Sequence, residues 1–119
     1  MALFWCNGEW IESGEFSLPP TDRGVILGLA LFETMLANDG QPKFVTSHLK
    51  RWRAGCERLG WEFPDIDLAD IGSELLGKNG LTEGRGRLRL TMTAGSGSVF
   101  DASSGTDSKI WLTATPVDD

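Results

Sequence analysis

From Val25 to Ala37 apolar residues follow one another almost without interruption, and the run ends at the polar turn Asn38-Asp39-Gly40. Such a run fits a strand buried on both faces, although periodicity alone leaves a short buried helix open. In extended form, alternation puts Phe32, Thr34 and Leu36 on one side and Leu31, Glu33 and Met35 on the other. Beyond the turn, Lys43 to Val45 reads as a second, short strand. Leu49, Trp52, Cys56 and Leu59 then recur at helical spacing, with Thr46 or Ser47 as cap and Gly60 as stop. His48 and Arg51, three positions apart, share one side of that helix, away from the centre of its apolar stripe.

Upstream, Ala2 to Cys6 and Glu9 to Glu12 flank Asn7-Gly8, which predicts a hairpin. Ser13 to Thr21 contains Gly14, Pro19 and Pro20 and reads as an extended or turning connection into Asp22-Arg23-Gly24. Downstream, Leu68 to Lys78 reads as a helix capped by Asp67, with Leu68, Ile71 and Leu75 inward; Gly72 and Gly77 weaken it. Arg87 to Ala94 alternates as a strand, with Arg87, Arg89, Thr91 and Thr93 on one face. Gly95 to Asp107 reads as a loop, Lys109 to Thr115 as a last strand, and Pro116 to Asp119 as a tail or linker. The elements predict one α+β domain over 1–119, a mostly antiparallel sheet packed on two helices.

Composition narrows the function classes. The 119 residues carry a formal net charge of −6, which argues against non-specific nucleic-acid binding through phosphate neutralisation. Cys6 and Cys56 have no metal-ligand partner near them in sequence, so no metal site is expected. Two thiols and no signal peptide point to a cytoplasmic setting, and no apolar run reaches membrane-spanning length. Gly95-Ser96-Gly97-Ser98 looks like a phosphate cradle but lacks the lysine and the following helix that a P-loop requires.

The order of short motifs is more specific than any one of them. Asp22-Arg23-Gly24 is followed by Gly28, Phe32-Glu33-Thr34, a turn at Gly40, His48-Leu49-Lys50-Arg51 and Leu59-Gly60. This order resembles the small N-terminal domain of the fold-type IV pyridoxal-phosphate enzymes, which include branched-chain and D-amino-acid aminotransferases and aminodeoxychorismate lyase. The resemblance implies that Arg51 binds the cofactor phosphate, while His48 orients its helix by a hydrogen bond. It implies that Phe32 and Thr34 border the substrate pocket; Glu33, on the other face by alternation, is expected in a structural ion pair. Arg89, counted back from Gly95, aligns with an arginine that helps branched-chain aminotransferases accept the side-chain carboxylate of glutamate. Its alternative is an exposed strand arginine paired with one of the chain's carboxylates. Thr34 is closer to aminodeoxychorismate lyase. Departures are Leu27 and Leu29-Ala30 at the start of the strand, and Val99 near where the lyase and D-amino-acid transaminase carry a carboxylate-binding arginine.

Pyridoxal-phosphate chemistry also needs a lysine and an acidic partner for the pyridine nitrogen. In the resembled family both lie in a larger C-terminal domain, and Lys43, Lys50, Lys78 and Lys109 match no Schiff-base motif. The expectation is the small domain of a two-domain enzyme, holding no catalytic residue and inactive alone, that moves an amino group between an amino acid and a 2-oxo acid. The intact protein is expected to be a homodimer. The alternatives are aminodeoxychorismate lyase, which forms 4-aminobenzoate and pyruvate, and a stand-alone non-catalytic binding module.

Overall fold

The computed structural model describes residues 2–98, 100–101 and 108–117. Asn7 and Gly8 take positive φ values of 49° and 88° and turn β1 (Leu3–Cys6) into β2 (Glu9–Glu12), as their sequence requires. A single 3-10 turn, Ser13–Glu15, leads into the connection to Asp22.

The run from Val25 to Ala37 is not one strand. The Asp22 carboxylate accepts a bond from Gly24 N and caps a single helical turn, α1 (Arg23–Ile26). Only after Gly28, at φ 67°, does β3 (Ala30–Asn38) begin. The cap and the left-handed glycine outweigh the β preference of Val25 and Ile26. Nor is β3 buried on both faces: Glu33, Met35 and Ala37 are buried, whereas Phe32, Thr34 and Leu36 are exposed.

The second short strand is β4 (Gln41–Pro42), earlier than Lys43 to Val45. Phe44 adopts a left-handed conformation at φ 57°, which ends any extended segment and starts α2 (Val45–Leu59). Among the described residues no side chain caps this helix, and Thr46 and Ser47 lie inside its first turn. Gly60, at φ 72°, closes it as expected. In α3 (Leu68–Lys78) the Asp67 carboxylate accepts from Asp70 N, again as expected. The last strands are β5 (Arg85–Thr93), which starts before Arg87, and β6 (Ile110–Pro116), which absorbs the start of the expected tail.

The six strands form one antiparallel sheet in the order β2-β1-β6-β5-β3-β4. Helices α2 and α3 cover one of its faces. There Trp5, Met35, Leu88, Leu90 and Leu112 of the sheet meet Trp52, Cys56, Leu68, Leu75 and Leu76 of the helices. Each such burial stabilises the fold by about 1.5–3 kcal/mol. Gly72, unfavourable for helix propensity, is needed for the packing: a Cβ there would lie 2.9 Å from Leu88 and 3.0 Å from Pro42. The opposite face of β3 and β5 stays open, with Phe32, Thr34, Leu36, Arg87 and Arg89 exposed. The α+β architecture is the expected one, extended by the one-turn α1.

Candidate functional site

Alternation along β3 puts Glu33 on the helix-covered side, in line with the buried Met35 and Ala37. A carboxylate in that position needs charged or hydrogen-bonding partners. Helix α2 supplies two. His48 Nδ1–H donates to Glu33 Oε1 at 2.7 Å. Arg51 donates from Nε to Oε2 at 2.9 Å and Oε1 at 3.1 Å, and from Nη2 to Oε1 at 2.8 Å. The three-residue spacing of His48 and Arg51 lets both reach one carboxylate.

The electrostatics follow from this placement. Burial by itself pushes the Glu33 carboxyl up, but the hydrogen bonds and positive charges of Arg51 and His48 outweigh it, and the net shift is downward. Glu33 in turn raises Arg51, so the guanidinium stays charged. Glu33 is 7% exposed, whereas the Arg51 side chain is 71% exposed. The pair therefore joins a buried anchor to a solvent-facing head.

With Nε and Nη2 turned onto Glu33, the orientation of the guanidinium is set. Its Nη1 donors meet no acceptor among the described residues. Arg51 lines an open cleft of about 340 Å³ between β3 and α2, together with Leu31, Phe32, Gly55 and Arg58. Strand β4 pairs only with Ala37 and Asn38, so among the described residues no strand covers that edge of β3 beside the cleft. Gly55 lets the helix approach, since a Cβ there would come within 3.0 Å of Leu31. Trp52 lines the cleft too, and its buried indole N–H has no acceptor among the described residues.

Phe32, Thr34 and Arg89 gather on the other face of the sheet. Thr34 and Arg89 are register partners, and the Arg89 guanidinium carbon lies 4.2 Å above the Phe32 ring centroid. This is a cation–π contact rather than an ion pair with a carboxylate. Only Phe32 belongs to both places, since Thr34 and Arg89 do not line the Arg51 cleft. None of Lys43, Lys50, Lys78 and Lys109 lines it either. Among the described residues no group of three or more His, Cys, Asp or Glu could hold a metal ion, and no helix is long and apolar enough to cross a membrane. Val99 lies outside the described residues.

Two features escaped the sequence. Asp22 and Arg23 are fully buried. Arg23 donates to the carbonyls of Ala94 (2.9 Å), Gly95 (3.0 Å), Ser98 (2.8 Å) and Asp101 (2.6 Å). Asp22 accepts from Thr93 Oγ1 at 2.7 Å. The Asp22-Arg23-Gly24 motif thus ties the loop after β5 to the start of β3. A charged pair abutting an apolar run was the available signal, but nothing local named the carbonyls. The other feature is Arg58, seven residues after Arg51 on the same helix face, which lines the cleft without a hydrogen-bond or ion-pair partner among the described residues.

Comparison with known proteins agrees with this frame. The sequence model of the family described as amino-transferase class IV matches residues 30–118. The chain is 27% identical over 95 residues to aminodeoxychorismate lyase of Bacillus subtilis (strain 168), covering 78% of this chain and 32% of that protein. It is 33% identical over 86 residues to D-alanine aminotransferase of Staphylococcus haemolyticus, covering 71% and 30%. Its fold matches a hypothetical aminotransferase from Mycobacterium tuberculosis in its PLP-bound form, with TM-score 0.79 and 23% identity, over 98% of this chain and 40% of that one. The chain therefore spans about a third of the length of the curated relatives. With the family model matching residues 30–118, this chain belongs to the class IV aminotransferases.

Proposed function

We propose that the chain is the N-terminal small domain of a pyridoxal-phosphate-dependent aminotransferase and that Arg51 receives the cofactor phosphate. The supporting observation is the Arg51 guanidinium, anchored on Glu33 through Nε and Nη2, on a side chain that lines the cleft and whose Nη1 meets no acceptor among the described residues. The donor chemistry fits, because a planar, permanently charged fork binds phosphate oxygens well. When bound, the cofactor supplies the electron sink for moving an amino group. The residues of this chain orient and enclose. Arg51 holds the phosphate end, Phe32 walls the passage from cleft to open face, and Arg89, steadied on the Phe32 ring, reads a substrate carboxylate beside the Thr34 hydroxyl. The substrates are an amino acid and a 2-oxo acid.

No lysine lines the cleft, so the amine that holds the cofactor and the acid facing its ring nitrogen are assigned to a C-terminal domain. That domain corresponds to the greater length of the relatives. Val25, Ile26 and Leu27 are 55%, 54% and 52% exposed, an apolar surface suited to cover by that domain or by the second subunit of a homodimer. A cytoplasmic location completes the reading.

Arg51→Gln in the intact protein tests it. Cofactor dissociation, followed by absorbance, is expected to weaken about tenfold or more, the effect of losing charge-assisted hydrogen bonds to a phosphate. Unchanged affinity in a variant that keeps its circular dichroism would remove Arg51 from the site. A second reading, aminodeoxychorismate lyase, is favoured by Thr34 and by the similarity to the Bacillus subtilis enzyme. Release of pyruvate from aminodeoxychorismate would decide for the lyase, and its absence would remove that reading.

A further inference from the structure

We propose that Arg58 is a second phosphate-binding residue of the cleft, closing on the same phosphoryl group that Arg51 meets. The inference rests on the assignment of Arg51 above. Seven residues along an α-helix return to nearly the same face, about 10 Å further along the axis. Between the two arginines on that side lie Ala54 and Gly55, which also line the cleft and leave its floor low. Two long side chains can therefore lean toward each other over that floor past nothing larger than the Ala54 methyl.

Charge separates their roles. Glu33 balances Arg51 and holds it in one orientation, so the anchored arginine brings little uncompensated charge to the cleft. Among the described residues Arg58 has no hydrogen-bond or ion-pair partner, and Glu33 is the only acidic one lining the cleft. Its charge is thus the one available to neutralise a dianion. A phosphate monoester fits this pair: a fixed fork reads some of its oxygens, and a mobile one closes on the rest. The competing role for Arg58 is to stabilise the C-terminal end of α2, where a cation favours the helix dipole. That role predicts an effect on stability and none on anion binding.

The test uses the intact protein freed of cofactor, with inorganic phosphate and, separately, pyridoxine 5′-phosphate, which lacks the aldehyde and cannot couple to lysines. Binding is followed by the ¹⁵N–¹H resonances of the arginine Nε–H groups. Arg53 supplies the control, since it lies on the same helix over the Phe63 ring at 4.4 Å and does not line the cleft. The Arg51 and Arg58 signals should move along one binding curve. Arg58→Gln should weaken binding about twofold to fivefold, the range for a partly solvated charge contact, and Arg53→Gln by less than that. Arg58→Lys should restore part of the loss, because charge returns without the fork. A loss in Arg58→Gln no larger than in Arg53→Gln overturns the inference. If Arg51→Gln abolishes binding while Arg58→Gln is silent, the cofactor assignment stands and Arg58 falls. If phosphate moves neither arginine signal, both fall.

Discussion

Glu33→Gln is the perturbation that most directly tests how the site is built. The amide keeps the shape of the carboxylate but removes its charge and one acceptor oxygen. In the native protein that carboxylate is 7% exposed and accepts from His48 Nδ1 and from Arg51 Nε and Nη2, at distances from 2.7 to 3.1 Å. Hydrogen bonds to a charged group contribute about 1.5–3 kcal/mol when shielded. The Arg51 head is 71% exposed, so its share is discounted toward the small value of a surface pair. The expected loss is about 1–2 kcal/mol near neutral pH. In a domain of this size that lowers the melting temperature by roughly 4–8 °C.

The pH dependence gives the sharper readout. The folded-state pKa of Glu33 is depressed, so its contribution is complete above the unfolded value of about 4.3 and is lost as pH falls through the lower folded value. Below that point the native side chain is neutral, like glutamine. Urea unfolding of both proteins at about pH 5.5 and about pH 3 measures the difference. The gap should be full at the higher pH and shrink toward zero at the lower. A gap of the same size at both values, or none at either, would refute the view that an ionised Glu33 anchors Arg51.

Other substitutions probe the frame around the site. Arg23→Met removes a fully buried guanidinium from four carbonyls, and the expected loss is about 3–5 kcal/mol by urea unfolding, with faster amide exchange at Gly95 and Ser96; a loss under about 1 kcal/mol would contradict the buried network. Gly24→Ala would put a Cβ 2.6 Å from Thr93 Cγ2, and the expected cost is about 1–3 kcal/mol in the same assay. Gly77→Ala meets nothing within 4 Å, so in exposed helix it should stabilise by roughly 0.5–1 kcal/mol; a loss there would mean that the space around α3 is misjudged.

What the chain sequence determined by itself is local. Asn7-Gly8 specified the first turn, Asp67 the cap of α3 and Gly60 the end of α2, because each acts within a few residues through backbone conformation or one hydrogen bond. Strict alternation separated Glu33 from Phe32 and Thr34 before any contact was known, and helical spacing put His48 and Arg51 together, so the Glu33 ion pair was legible in outline. The motif order pointed to the family.

Tertiary structure decided the rest, because it turns on groups far apart in the chain. β3 begins late and keeps one open face, since the helices cover only one side of the sheet and the Asp22 cap claims Val25 and Ile26 for a helical turn. Arg23 reads locally as a surface charge. It is buried because Ala94, Gly95, Ser98 and Asp101 bring carbonyls to it from more than seventy positions away. Likewise the cleft lies where α2 packs against an edge of β3 that β4 is too short to cover, and that packing puts Arg51 and Arg58 on the lining of one cleft. Periodicity can tell which side of an element a residue occupies, but what stands opposite that side depends on how distant elements pack.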